Sequence, residues 1–230
     1  MFDGKFRAPV DRAVKPVGNA LRRTGLTPDH LTVAGIVVGV AAAVAIGSGR
    51  LFLGLVLVIL AALPDLLDGA LAKATGAASE RGAFFDSTVD RITDAVLLGG
   101  IGWHFAMTES PRLVLLPFAV SAVAQVISYQ RAKAESLGLD AKGGLMERAE
   151  RIVLLCVGLA FPVLLIPVLW VTLVLSSITA VQRFVKVWRQ AEVAPITQER
   201  IDLRRNRRHS RRVARSERRR RRTLVPRRRP

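Results

Sequence analysis

Hydrophobic positions in this chain are gathered into long runs rather than spread in short alternating patterns. Six such segments follow one another, at about 30–48, 51–73, 82–106, 112–135, 148–163 and 165–187. Most are close to the roughly 20 apolar residues that a helix needs to cross a bilayer core. The fifth is shorter, and Pro162 and Pro167 crowd its junction with the sixth. Ahead of them, Phe2, Phe6, Val10, Val14 and Val17 recur among Lys5, Arg7, Arg12 and Lys15, which predicts an amphipathic helix lying in the membrane interface. The pattern therefore predicts an all-α integral membrane protein of six transmembrane helices preceded by an N-terminal amphipathic interfacial helix. Three parts follow: an arm at 1–25, a six-helix domain at 26–190 and an Arg-rich tail at 191–230.

Charge orients this arrangement. An even number of spans puts both termini on one side. Basic residues cluster in the arm, at Lys73 and Arg81, from Arg131 to Arg151 and in the tail, whereas the opposite loops carry Arg50 and Arg112. The positive-inside rule then predicts a multi-pass protein of the cell (plasma) membrane with cytoplasmic termini. Residues 200–229 hold sixteen arginines against Asp202 and Glu217, fourteen of the net seventeen positive charges. So few apolar residues predict disorder, and so many cations predict contact with anionic headgroups. Nucleic acid is the less favoured partner, since 200–230 offer no aromatic ring for base stacking. The single cysteine, Cys156, excludes an internal disulfide. The first 25 residues lack the continuous apolar core of a secretory signal. Trp103, Trp170 and Trp188 read as interfacial anchors.

The candidate chemistry lies between the second and third apolar segments, in the run DLLDGALAKATGAASERGAFFDSTVD. Acidic groups beside a bilayer are costly unless compensated, and are functional candidates by default. Asp65 and Asp68 are i, i+3 and Asp86 and Asp90 are i, i+4, so each pair occupies one helix face. Two adjacent helices would bring four carboxylates together, an all-oxygen site for hard cations such as Mg²⁺ or Mn²⁺. The same spacing is open to a non-enzymatic cation-binding protein or transporter. That reading places the acids near the bilayer midplane, whereas here they flank a loop of small and charged residues.

These residues, with Gly69, Ala72 and Gly82, resemble the CDP-alcohol phosphotransferase signature D-x2-D-G-x2-A-R-x8-G-x3-D-x3-D. Every position agrees except the arginine, which is Lys73. Lysine keeps the charge but loses the planar fork that grips phosphate through two parallel bonds. The resemblance covers about residues 20–188. It implies that Asp65, Asp68 and Asp86 hold the metal and that Asp90 contributes as metal ligand, catalytic base, or both. It further implies that Gly69, Lys73 and Ser79 contact CDP-diacylglycerol, together with Asp29 and Thr32 and the intervening His30 and Leu31. Homodimers are common in the family, so a homodimer is expected.

The second half bears on the acceptor. The stretches 126–135, 143–152 and 182–183 resemble the actinobacterial branch that makes phosphatidylinositol phosphate. By that resemblance Arg131, Lys133, Arg148, Arg151 and Arg183 receive the phosphate of myo-inositol phosphate, and CMP leaves. An acceptor with a phosphate dianion does call for several guanidinium or ammonium donors. A phosphatidylglycerophosphate synthase, or another phosphatidyltransferase with a different acceptor, is the alternative.

Overall fold

The computed structural model describes residues 28–75, 79–108 and 111–191, with side chains from 29 to 63 in the first stretch. The predicted interfacial helix at 1–25 and the tail at 192–230 lie outside them. Every regular element among the described residues is helical. Helix α1 is Pro28–Gly47, α2 is Leu51–Thr75 and α3 is Glu80–Thr108. A 3₁₀ turn, Pro111–Val114, leads into α4, Leu115–Ser136. Helix α5 is Arg148–Ala160, and after the 3₁₀ turn Pro162–Leu164 comes α6, residues 165–191.

Local chemistry sets these ends. Pro28 occupies the first helical position of α1, where a missing N–H is harmless, and Asp29 in the first turn complements the helix dipole. Gly49, at φ 82°, closes α1: its N–H donates to the Ile46 carbonyl at 2.9 Å and Arg50 N–H to Ala45 O at 2.9 Å. That double bond is a Schellman motif, and it reverses the chain into α2. The Ser79 hydroxyl caps α3 by accepting the Gly82 N–H at 3.0 Å. At α5, Glu147 and Glu150 form a reciprocal capping box.

Each of the six predicted segments corresponds to one helix, and the boundaries agree within a few residues. Among the described residues, three stretches are long and apolar enough to cross a membrane: Asp29–Gly47, Pro111–Ser136 and Pro162–Ala191. Two of the others fall short for physical reasons: α3 carries charges through its first half, and the 13 residues of α5 reach only about 20 Å.

The direction of each helix follows from its contacts. Gly39 meets Thr93, the Ala43 backbone meets Gly100 and Gly47 meets Trp103, so α1 and α3 run parallel. A Cβ at Gly100 would lie 2.5 Å from the Ala43 carbonyl oxygen, so only glycine permits this approach. Arg91 bonds Ser128 while Gly102 lies against Pro117, which makes α4 antiparallel to α3. Asp94 meets Arg151, and Leu98 lines a cavity with Leu155, so α5 runs parallel to α3. The helices thus alternate up and down. The N-terminal ends of α1, α3 and α5 share one end of the bundle with the C-terminal ends of α2, α4 and α6.

Unlike a water-soluble bundle, this one is apolar outside as well as inside. Ile46, Ile101, Phe105, Val120, Leu159 and Leu169 fill the interior, yet Val33, Val37, Val40 and Val44 form an exposed stripe along α1. Phe118, Trp170, Val174 and Phe184 also face outward. Lipid tails are as apolar as leucine, so close packing of small residues rather than water exclusion joins such helices. The buried stripe of α6 changes character along its length: Leu165 and Leu169, then Thr172, Ser176, Thr179 and Arg183. Its polar half points to the end of the bundle where the acids lie.

Candidate active site

Helix α3 carries a ladder of carboxylates, Asp86, Asp90 and Asp94, four residues apart and therefore on one face, with about 6 Å of rise between rungs. Asp86 and Asp90 are half-buried. The Arg148 guanidinium spans two rungs, with Nη1 2.8 Å from Asp90 Oδ1 and Nε 3.3 Å from Asp94 Oδ1. Arg151 Nη2 lies 3.2 Å from the other oxygen of Asp94. Arg91 reaches back to Asp90 Oδ2 at 3.5 Å and donates to Ser128 Oγ. Gln125 Nε2 donates to the Arg91 carbonyl at 3.1 Å, so α4 is pinned to α3 beside the acids.

The loop 137–147 between α4 and α5 is fastened to the polar face of α6. Arg183, with 3% of its side chain exposed, donates from Nη1 to Ile127 O and from Nη2 to Gly143 O, each at 3.0 Å, and lies 3.5 Å from Glu147 Oε1. Met146 N–H donates to Thr179 Oγ1 at 2.9 Å. Lys186 Nζ lies 2.9 Å from Asp140 Oδ2 and donates to Lys142 O at 2.8 Å. Gln190 accepts the Asp140 N–H at 2.9 Å and donates to the Asp140 carbonyl at 2.7 Å. The Lys142 N–H and the Lys186 ammonium hold the Asp140 carboxyl below its ordinary range. Residues 179, 183, 186 and 190 fall at helical spacing, which is why one face of α6 holds the whole loop.

The predicted residues divide accordingly. Arg148 and Arg151 meet the acidic ladder. Arg131 is exposed and paired with Glu135 at 3.1 Å, and Lys133 is exposed. Arg183 divides its Nη donors between α4, at Ile127 O, and the loop, at Gly143 O. In α1, Asp29 and His30 are exposed, Leu31 is half-buried and Thr32 is buried, all at the acidic end of the bundle. The Ser79 oxygen is engaged as the α3 cap. Asp65, Asp68, Gly69 and Lys73 belong to the last turns of α2, but their side chains lie outside those described.

Hard carboxylate oxygens at 86 and 90, without cysteine or histidine beside them in sequence, suit Mg²⁺ or Mn²⁺ rather than a thiophilic metal. Among the described residues no three His, Cys, Asp or Glu side chains converge on one point. Sequence reasoning passed over Asp94, Arg91 and Glu147. Asp94 was legible as the next i+4 step after Asp90. The partners of Arg91 and Glu147 come from distant segments, and spacing carries no sign of them.

Comparison with known proteins agrees with this geometry. The sequence model of the CDP-alcohol phosphatidyltransferases matches residues 25–188. The phosphatidylinositol phosphate synthase of Mycobacterium marinum is 38% identical over 192 residues, covering 79% of this chain and 82% of that protein. The synthase of Streptomyces avermitilis is 36% identical over 210 residues, 84% of this chain and 85% of that one. The fold matches the Mycobacterium tuberculosis phosphatidylinositol phosphate synthase crystallised with CDP-DAG bound, with a TM-score of 0.72 at 37% identity, over 77% of this chain and 94% of that one. A second crystal structure of that enzyme, in complex with manganese and citrate, also gives 0.72 at 37% identity, over 76% and 88%. From the acidic signature at the end of α2 to the polar face of α6, this chain is a transferase of the CDP-alcohol phosphatidyltransferase family.

Proposed function

We propose that this protein transfers the phosphatidyl group from CDP-diacylglycerol to the hydroxyl of a myo-inositol phosphate, giving phosphatidylinositol phosphate and CMP. The observation that carries this reading is the meeting of Arg148 with Asp90, 2.8 Å apart, which sets phosphate-binding cations directly against the carboxylates of the signature. The likeness to phosphatidylinositol phosphate synthases over about four-fifths of the chain supports the same acceptor.

Asp65, Asp68, Asp86 and Asp90 hold the divalent cation, Mg²⁺ or Mn²⁺. Bound there, it neutralises the pyrophosphate and the charge that builds on the departing CMP. Asp90 also acts as general base, since a carboxylate within reach of the acceptor hydroxyl takes its proton as oxygen attacks the β-phosphorus. The bond from that phosphorus to the bridging oxygen breaks, and the electron pair leaves with CMP. Lys73 contacts the nucleotide phosphates as a point charge, while Gly69 and Ser79 with Asp29, His30, Leu31 and Thr32 frame the CDP end. Arg131, Lys133, Arg148, Arg151 and Arg183 form the cationic lining that receives the acceptor phosphate. Arg183 does so through the loop it holds and through its own charge.

All six helices span the bilayer in this reading, with the shared acidic and basic end facing the cytoplasm. The 1–25 arm lies in the interface, the tail rests on anionic headgroups, and two copies pair as a homodimer. The test is CMP release by purified protein supplied with CDP-diacylglycerol and Mg²⁺. Release on adding inositol phosphate supports the assignment. Release only with glycerol 3-phosphate moves the protein to the phosphatidylglycerophosphate branch.

A further inference from the structure

Asp94 stands outside the acidic signature, yet it makes more of the site than its neighbours in sequence. Its two oxygens are divided between two guanidiniums, Oδ1 to Arg148 Nε at 3.3 Å and Oδ2 to Arg151 Nη2 at 3.2 Å. It is 11% exposed, and Arg151 is 9% exposed. Asp94 and Arg151 form the polar rim of a cavity of about 40 Å³ whose wall includes Leu97, Leu98, Ile152, Leu155 and Leu169. Against such a wall an uncompensated guanidinium is costly, so the carboxylate decides where Arg151 rests, and its other oxygen holds Arg148 Nε beside it.

Arg148 shows why this matters. Its fork is shared, with Nη1 on Asp90 and Nε on Asp94. When the oxygens of Asp90 turn to a cation or to the acceptor hydroxyl, Nη1 loses that partner while Nε keeps the other. A guanidinium anchored through Nε still presents Nη groups to an incoming phosphate. Without Asp94, two like charges side by side repel and the pair spreads toward solvent.

We propose that Asp94 is the positioning residue for acceptor binding, holding Arg148 and Arg151 as a fixed pair of phosphate donors beside Asp90. This rests on the reading of those arginines as acceptor ligands. The experiment separates the two claims, because the wild-type arm alone shows whether inositol phosphate is used. If another acceptor phosphate is used instead, the same comparison is made with that acceptor. In Asp94→Asn the KM for the acceptor rises by about 10- to 100-fold, the scale for losing hydrogen bonds to a charged group, while the KM for CDP-diacylglycerol is unchanged. Calorimetric binding of the acceptor to the full-length protein without CDP-diacylglycerol weakens in parallel. In an Arg148→Gln, Arg151→Gln background, Asp94→Asn adds nothing further, since it acts through those side chains. Equal rises in both KM values, an unchanged acceptor KM, or full additivity overturn the proposal. Should Asp94→Asn not accumulate as folded protein, Asp94→Glu keeps the charge and shifts it by one methylene. A rise confined to the acceptor KM then supports the proposal, and an unchanged acceptor KM overturns it.

Discussion

A single methylene or a single planar group separates the outcomes at several positions of this site. Lys73 is where the chain departs from its family signature, and lysine offers the phosphates a charge without a fork. Lys73→Arg therefore lowers the KM for CDP-diacylglycerol and leaves kcat nearly constant. A large rise in kcat from near zero would instead mark the wild type as an inactive relative. Asp90→Asn removes the proposed cation ligand and base together. CMP release falls by about 10²- to 10⁴-fold, the range for general base catalysis, and more if the cation is lost as well. A rate within a few-fold of wild type would remove Asp90 from the chemistry. Residue-scale reading of the sequence succeeded where spacing carries the message: Asp86 and Asp90 share a face because they are i, i+4. It stopped at the end of the signature and so omitted Asp94, although the same step reaches it. The partners of Arg183, Ile127 O and Gly143 O, are backbone atoms 56 and 40 residues away, and no local pattern announces them.

Among elements, the loop 137–147 and its fastening to α6 dominate, because the loop ends at Glu147 and delivers Arg148 to the acids. Gly144, at φ 149°, sits where a Cβ would meet Thr179 Cγ2 at 2.4 Å. Gly144→Ala costs roughly 1–3 kcal/mol of stability from backbone strain alone and displaces the start of α5. A thermal unfolding midpoint identical to wild type would show that the loop tolerates the change. Arg183→Gln removes the hydrogen bonds of a buried guanidinium to Ile127 O and Gly143 O, at a cost of about 1.5–3 kcal/mol, and exposes the loop to protease. Asp140 adds a pH dependence. Its folded carboxyl lies below the ordinary value, so its contribution is present above the unfolded pKa near about 3.9 and is lost as pH falls through the folded one. Cleavage in the loop is accordingly somewhat slower at neutral pH than in acid, a small difference for an exposed pair, and Asp140→Asn flattens that profile. A flat profile in the wild type would contradict that assignment. The helices themselves were legible in the hydrophobic pattern to within a few residues. Their fitness to cross a bilayer was less so, since the charged face of α3 and the brevity of α5 reflect the site they build.

For the molecule as a whole, alternation of six helices gathers the ends of α2, α4 and α6 and the starts of α1, α3 and α5 at one end. The basic segments and the acids therefore meet there as a consequence of topology, not of neighbouring sequence. Of the net seventeen positive charges, fourteen lie in 200–229. A peptide of residues 200–230 binds vesicles rich in anionic lipid, at about 1 kcal/mol per basic residue near the surface, and releases them at high salt. Equal binding to uncharged vesicles would rule out that electrostatic role. The central claim is that acids from two helices together grip one or two divalent ions beside the arginine pair. Anomalous diffraction from crystals grown with Mn²⁺ tests it most directly. The account predicts a peak enclosed by the carboxylates of Asp65, Asp68, Asp86 and Asp90. A peak elsewhere, or one touching a single helix, would contradict it.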